Sequence, residues 1–180
     1  MADFDTIVIG TGVAGAQVAA ACASAGRRVA VTDRVPYGGT CPQRGCDPKK
    51  VLLAASEAVG RVQALIGQGL EGESRIAWGD LIRRKRDFVG GVPQRTEDRL
   101  RGAGATLLHG EARFVGPDAV DVAGERLTAD TIVVATGAVP RPLGIPGEEL
   151  LVHSDGFMEL DELPPRVVFV GGGYISFELA

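Results

Sequence analysis

The sequence has few of the residues that build disulfide-rich, membrane-spanning or nucleic-acid-binding proteins. Only three of its 180 residues are cysteine, which is too few for a disulfide framework in a chain of this size. No uninterrupted apolar run is long enough to span a bilayer. A net charge of −4 also disfavours a general nucleic-acid binder, because phosphate contacts need clustered Lys and Arg. We therefore expect a globular protein with no nucleic-acid and no membrane partner.

The N-terminus also lacks the basic stretch that opens a secretory signal, since the chain begins MADFDTIVIG. Apolar residues make up 45% and charged residues 23%, as in ordinary globular domains. We expect a cytoplasmic protein, and in that compartment a stable structural disulfide would be unusual.

Hydrophobic patterning predicts an α/β fold. Residues 5–10 and 27–33 are short β-rich apolar runs that flank an Ala-rich helix over 13–26, which together make a βαβ unit. Two helical segments are expected between about 46 and 102, with a break near Gly90 and Pro93. Short strands then predict a small antiparallel meander, followed by a separate buried strand over 131–137.

The end of the chain repeats its beginning. RVVFVGGGYISFELA, residues 166–180, reads as strand, glycine turn and helix start, after a Pro/Gly-rich connection. This repeat predicts a first domain over 1–145 and the linker and start of a second domain over 146–180. Because no further strand follows, we expect the chain to be the front part of a longer protein.

The turn after the first strand, GTGVAG, has the spacing of a dinucleotide-binding fingerprint. Gly10 allows the tight turn, Gly12 allows a pyrophosphate to approach the backbone, and Gly15 allows the helix to pack on the strand. The phosphates would lie at the helix N-terminus, and Asp33 at the end of the next strand would accept from the ribose. A glycine-rich turn without a ligand is the alternative.

A second turn, GGGYIS, has a related pattern with Gly171 and Gly173. Ser176 stands where the third glycine is usual, and the alternative is a packing turn. Two such turns suggest two cofactors, such as a flavin and a nicotinamide.

Two cysteines five residues apart, in GGTCPQRGCDPKK, leave several roles open. A metal site is disfavoured because the only histidines, His109 and His153, lie far away in sequence. Lys49, Lys50 and a helix N-terminus near Pro48 would favour a thiolate, which is typical of a redox couple. Two unlinked packing thiols are the alternative.

These motifs together resemble the class I pyridine nucleotide–disulfide oxidoreductases, a family of flavoproteins. GGTCPQRGCDPKK is similar to the redox-disulfide motif of the family, and GTGVAG with Asp33 to its FAD-binding start. TIVVATGAVPRPLGIPG is similar to its second flavin motif, and VVFVGGGYISFE to its NAD(P)H-binding start. The resemblance implies a Rossmann-like FAD/NAD(P)-binding fold, with a parallel sheet, a helical layer and a small antiparallel meander.

The resemblance also implies residue roles. The catalytic residues would be Cys41, which attacks the substrate disulfide, Cys46, which lies next to the flavin, and Lys49 paired with Glu178. Tyr174 would shield the flavin until nicotinamide displaces it. No metal is implied. The implied cofactor-binding residues are Gly10, Gly12, Val13, Ala14, Gly15, Asp33, Gly39, Thr40, Cys41, Lys49, Ala112, Ala135, Thr136, Gly137, Gly171, Gly173, Tyr174 and Ser176.

The implied activity is that of a homodimeric oxidoreductase in cell redox homeostasis. Electrons would pass from NAD(P)H through FAD to a Cys41–Cys46 disulfide, and then to a small disulfide or metal-ion substrate. Asp47 departs from the family, which has a small apolar residue there. The family's acid/base histidine and last flavin-binding segment also have no counterpart, so we expect little turnover from these 180 residues alone. The alternatives are a truncated, non-catalytic FAD-binding fragment and a flavin oxidase or monooxygenase of the same fold.

Overall fold

The computed structural model describes residues 2–180, which divide into two compact units. One comprises residues 2–43 with Gly91–Val139, and the other comprises Arg44–Gly90 with Pro140–Ala180. The predicted boundary between 145 and 146 concerns domains of the family and stays a prediction.

The first unit is built on a six-stranded sheet. Its elements are β1 (Phe4–Ile9), α1 (Val13–Ser24), β2 (Val29–Asp33), α5 (Val92–Gly102), β3 (Thr106–His109), β4 (Ala112–Gly116), β5 (Ala119–Val122) and β6 (Glu125–Val134). The strand order is β3-β2-β1-β6-β5-β4. β1 pairs in parallel with β2 and β6, and β2 with β3, whereas β4 to β6 pair in antiparallel. The sheet confirms the predicted Rossmann-like α/β fold.

The central strands are apolar on both faces because both faces are covered. On one face Val8 and Val31 pack on small residues of α1 such as Ala19, and on Leu100 of α5. On the other face Ile7 packs in a cluster that includes residues of the meander. This double cover explains why these strands have continuous apolar runs rather than alternating ones.

One strand prediction was wrong. The strand over 131–137 was expected to be separate from the meander, but β6 begins within the meander at Glu125 and runs without a break through Val134. Its first half pairs with β5, as in Val120↔Leu127, and its second half pairs with β1, as in Ile7↔Ile132. The strand can continue because ladder partners are present along its whole length, first on one edge and then on the other.

The second unit is mainly helical. It contains α3 (Cys46–Leu65), α4 (Trp78–Gly90), a 3₁₀ turn (Glu148–Leu150), α6 (Ser154–Phe157) and α7 (Tyr174–Leu179), and α2 (Thr40–Arg44) crosses the division between units. The region 46–102 thus forms three helices rather than two, because the chain breaks between Gly90 and Val92 as well as between Leu65 and Trp78. The predicted strand before α7 is absent, since residues 166–170 have no partner strand in the described part of the unit. None of the helices within residues 2–180 is long and apolar enough to cross a membrane.

A buried lysine of α4 forms an ion pair with the segment that follows α6. Lys85 is fully buried, and its ammonium bonds to the carboxylate of Glu159. Arg86 reinforces this contact through Asp161 at 2.7 Å, and Trp78 Nε1 donates to the Leu160 carbonyl at 2.9 Å. A cation without water around it requires this negative partner.

We expect Glu159→Gln to lower the free energy of unfolding by about 2 kcal/mol, because it leaves the Lys85 ammonium buried without a counter-charge. Asp161→Asn is the control, since Asp161 is exposed and its loss strands no buried charge. Urea unfolding of both variants measures the difference. Equal stability of the two variants would contradict the assigned importance of the Lys85–Glu159 pair.

Tyr37 ties the loop after β2 to the sheet. The ring is fully buried, and its hydroxyl lies 3.0 Å from the Val31 carbonyl and 2.6 Å from the Leu108 carbonyl. The same hydroxyl accepts the Leu108 N–H at 3.1 Å. Burial raises the pKa of Tyr37 from 10.0 to about 12.

This raised pKa predicts a pH dependence of stability. Above pH 10 the unfolded tyrosine loses its proton while the folded one keeps it, so the free energy of unfolding falls as pH rises towards 12. Tyr37→Phe should be less stable at neutral pH, because the Leu108 N–H loses its partner, and should show a flatter decline above pH 10. Urea unfolding between pH 8 and 11 measures both curves, and parallel curves would contradict this account.

Candidate functional site

The turn between β1 and α1 is a tight backbone crossing. Gly10 has a φ of +106°, and a Cβ there would lie 2.2 Å from the Ala135 carbonyl oxygen. A Cβ on Gly15 would lie 2.0 Å from the Gly10 oxygen, so α1 also starts against the turn. The Ala135 N–H bonds to the Ile9 carbonyl at 2.8 Å, which fixes the end of β6 beside the turn. Only glycine fits at these two positions.

The N-terminus of α1 has no side-chain cap. Its N-cap is Gly12, which has no side chain to bond the first N–H groups, and the first helical bond runs from Ala16 N–H to the Gly12 carbonyl at 2.9 Å. Val13 and Ala14, the first two helical residues, are exposed. Outward N–H groups and the helix dipole make this end suitable for an anion.

Residues 38–46, called here the cysteine-bearing segment, contact the backbone of this turn near their start. Gly39 has a φ of +73°, and a Cβ there would lie 2.3 Å from the Gly12 Cα. α2 begins at the next residue, Thr40, and Cys41 is half-buried on its first turn. The side chain of Gln43 holds the segment by donating to the Gly39 carbonyl at 3.2 Å. Cys41 therefore lies two residues from the point of closest approach.

Asp33 lies at the end of β2, as the motif predicts. Its Oδ2 accepts the Thr11 N–H at 2.8 Å and the Thr11 hydroxyl at 2.6 Å, and its Oδ1 accepts the Val35 N–H at 3.2 Å. Its backbone carbonyl accepts the Gly110 N–H at 2.9 Å, which brings the end of β3 alongside. The carboxylate is thus fixed at the carboxyl end of the sheet, where ligands of such folds bind.

The remaining predicted flavin residues of this unit follow β3 and β6. Ala112 is the first residue of β4, is half-buried and pairs with Val122. Ala135 is held against the β1 turn as described above, and Thr136 and Gly137 follow it as exposed residues.

The second unit assembles a charged cluster. Cys46 is exposed and is the first residue of α3. One turn later Lys49 is only 5% exposed, bonds to Glu178 of α7 and lies 4.5 Å from the ring centroid of Tyr174. Lys50 is exposed and bonds to the other Glu178 oxygen at 2.9 Å.

Hydrogen bonds within this cluster keep Glu178 ionised. The hydrogen bonds from Lys49 and then Lys50 hold the pKa of Glu178 below its usual value. The hydrogen bond to Glu178 in turn raises the pKa of Lys50. Glu178 therefore keeps its negative charge at neutral pH, and the buried Lys49 ammonium keeps a counter-charge.

The second glycine turn is open. Gly171 has a φ of +106° with nothing within 4 Å of an added Cβ, and Gly173 caps α7 without a side-chain bond. Ser176 is half-buried on α7. The described residues thus show the turn and helix of this motif without its strand.

The first unit fits a dinucleotide cofactor. Its cradle is backbone that an added Cβ would fill, its helix N-terminus suits a pyrophosphate, and Asp33 is fixed where a ribose would lie. Within residues 2–180 no group of three or more His, Cys, Asp or Glu could hold a metal ion. The fold and this cradle are those of a Rossmann-like domain, in which a motif cysteine lies two residues from the Gly39–Gly12 contact.

Comparison with known proteins identifies the family. Residues 4–180 match the pyridine nucleotide-disulphide oxidoreductase family, and the chain belongs to that family. It is 35% identical over 179 residues to a glutathione reductase of Burkholderia cepacia, and 34% identical over 183 residues to a dihydrolipoyl dehydrogenase of Chlamydia pneumoniae. Each alignment covers 99% of this chain but 40% of the relative. A dihydrolipoyl dehydrogenase of Thermus scotoductus is 36% identical over 187 residues, which cover 99% of this chain and 39% of the relative.

One residue in these sites was not predicted. Thr11, in the turn between β1 and α1, is fully buried, and its hydroxyl bonds to Asp33 and to the Gly38 N–H. Lys50 was expected beside Lys49 as a cation near the cysteines, but its bond to Glu178 was not foreseen. The signal for Thr11 was a hydroxyl residue between two motif glycines, where a side chain has little space. The pair of adjacent lysines gave no sign of which one is buried.

Proposed function

We propose that this chain is the flavin-binding part of an NAD(P)H-dependent reductase that acts on disulfides through Cys41 and Cys46. The observation that carries the proposal is the backbone contact between Gly39 and Gly12, which holds the cysteine-bearing segment against the turn between β1 and α1. An oxidase or monooxygenase of the same fold would have no use for this arrangement of thiols.

Different residues of the chain would bind different parts of FAD. The N–H groups at the start of α1 would bind the pyrophosphate, Asp33 the ribose, and the backbone near Ala112 the adenine. Thr40, Cys41 and the segment after Ala135 would lie along the flavin. When bound, FAD supplies two-electron transfer between NAD(P)H and a disulfide.

The two cysteines would perform the exchange with the substrate. The Cys41 thiolate attacks one sulfur of the substrate disulfide, and the S–S bond breaks to release one substrate thiolate. The Cys46 thiolate then attacks the Cys41 sulfur, which releases the second substrate thiolate and forms the Cys41–Cys46 disulfide. Two substrate thiols are produced, and the pair requires two electrons from NAD(P)H to return to the dithiol.

The charges around Cys46 support its role. Cys46 is the first residue of α3, and Lys49 lies one turn further along the same helix. Lys49 would also stabilise negative charge on a neighbouring flavin, with Glu178 holding the ammonium in place. Tyr174, against Lys49, would cover the flavin until nicotinamide binds.

The partners follow from the relatives. A glutathione reductase and dihydrolipoyl dehydrogenases among them favour a small disulfide substrate over a metal ion. We propose a cytoplasmic homodimer that contributes to redox homeostasis, with NAD(P)H bound at the turn of Gly171 and Gly173.

Cys46→Ser tests the proposal in the protein that carries this chain. We expect disulfide reduction by NAD(P)H to fall at least about 10³-fold while bound flavin stays, because the exchange cannot be completed without the second thiol. Cys22→Ser is the matched control, since Cys22 is a half-buried thiol of α1 outside the motif. Unchanged turnover in Cys46→Ser would contradict the proposed function.

A further inference from the structure

Thr11 joins three parts of the flavin site through one buried hydroxyl. It stands between Gly10 and Gly12 and is fully buried. Its Oγ1 donates to Asp33 Oδ2 at 2.6 Å and accepts the Gly38 N–H at 3.2 Å. Gly38 directly precedes Gly39, where the cysteine-bearing segment contacts the turn. One side chain therefore connects the phosphate turn, the ribose carboxylate and the segment that leads to Cys41.

The two carboxylate oxygens of Asp33 differ in how many hydrogen bonds they accept. Each carboxylate oxygen has about two acceptor positions. Oδ2 uses both for the Thr11 N–H and hydroxyl, whereas Oδ1 accepts the Val35 N–H at 3.2 Å. Oδ1 is therefore the oxygen with capacity for a ligand hydroxyl.

We infer that Thr11 is a positioning residue for the cofactor. Its hydroxyl orients the Asp33 carboxylate so that Oδ1 faces the ribose. The same hydroxyl links that carboxylate to Gly38, at the start of the cysteine-bearing segment. The inference rests on the proposed binding of FAD. A hydroxyl is required because the side chain must donate to the carboxylate and accept from the Gly38 N–H at the same time, which neither valine nor alanine can do.

A first experiment needs no cofactor. Amide hydrogen exchange of the Gly38 N–H compares the unsubstituted protein with Thr11→Val, which keeps the shape of the side chain, and with Thr11→Ser, which keeps the hydroxyl. We expect exchange at least about 10-fold faster in Thr11→Val and close to unchanged in Thr11→Ser. Should Thr11→Val fail to fold, Thr11→Ala removes the same hydroxyl without the branched methyl groups. Equal protection of Gly38 N–H in all variants would overturn the inference.

A second experiment measures the effect on FAD affinity in a double-substitution cycle. We expect Thr11→Val to raise the Kd for FAD about 10-fold and Thr11→Ser to raise it less than about 3-fold. In an Asp33→Asn background the same Thr11→Val change should raise the Kd less than about 2-fold, because the group that Thr11 orients is already impaired. A purely structural role would give the same factor in both backgrounds and would overturn the inference. An unsubstituted protein that binds no FAD would contradict the proposed function instead, and the exchange of Gly38 N–H would then decide the role of Thr11.

Discussion

Gly39→Ala should raise the Kd for FAD at least about 100-fold. A Cβ at this position would lie 2.3 Å from the Gly12 Cα, and the backbone there has a φ of +73°. The atoms that the added Cβ would meet belong to the backbone of Gly12, so no side-chain movement can relieve the contact. The cysteine-bearing segment must separate from the phosphate turn, and about 2.7 kcal/mol of lost binding free energy corresponds to the 100-fold change.

Gly26→Ala is the matched control for this substitution. Gly26 has a φ of +80°, so alanine there has a similar backbone strain, but nothing lies within 4 Å of its Cβ. Both variants should lose some stability, and only Gly39→Ala should lose flavin, as measured by absorbance of the purified proteins and by titration with FAD. Equal retention of flavin by the two variants would show that the Gly39–Gly12 contact does not shape the site.

Lys49→Met should slow flavin reduction by NAD(P)H about 100-fold in the protein that carries this chain. The Lys49 ammonium is buried, bonds to Glu178 and lies against Tyr174, so it is the fixed positive charge of the cluster. Removing a preorganised charge that stabilises a developing negative charge usually costs a factor of about 10² to 10³. Methionine retains most of the side-chain volume, which limits changes in packing.

Lys50→Met is the control because both lysines bond to Glu178, but only Lys49 is buried and next to Tyr174. We expect Lys50→Met to change the rate less than about 3-fold, as is usual for an exposed ion pair. Rapid-mixing measurements of flavin absorbance give both rates. Similar rates for the two variants would contradict a specific role for the buried ammonium.

The sequence predicted the first unit better than the second. The βαβ start, the glycine turn and Asp33 at a strand end depend on local signals, and each occurs at the predicted place. The continuous strand β6 could not be read from local signals, because its two halves are held by different neighbours, β5 and β1. The strand predicted over 166–170 was wrong because it lacks a neighbouring strand among residues 2–180, whereas β6 has two. The residues have β propensity, but no partner strand is present in the described part of the second unit to form the ladder.

The site residues show a similar division. Motif spacing identified the positions where backbone must approach closely, because glycine is the residue that allows such contacts. Burial was not predictable at adjacent positions. Lys49 and Lys50 look equivalent in sequence, yet the turn of α3 buries the first and exposes the second. Thr11 was missed because its partners, Asp33 and Gly38, lie 22 and 27 residues away and meet it only in the folded chain.

A visible absorption spectrum before and after anaerobic addition of a dithiol tests the central claim most directly. We expect a flavin spectrum that gains a long-wavelength charge-transfer band on reduction of the cysteine pair, which would place the Cys46 thiolate against oxidised flavin. The band should be absent in Cys46→Ser and present in Cys22→Ser. Bound flavin that gains no such band on adding dithiol would contradict the proposed coupling between the flavin and the two cysteines.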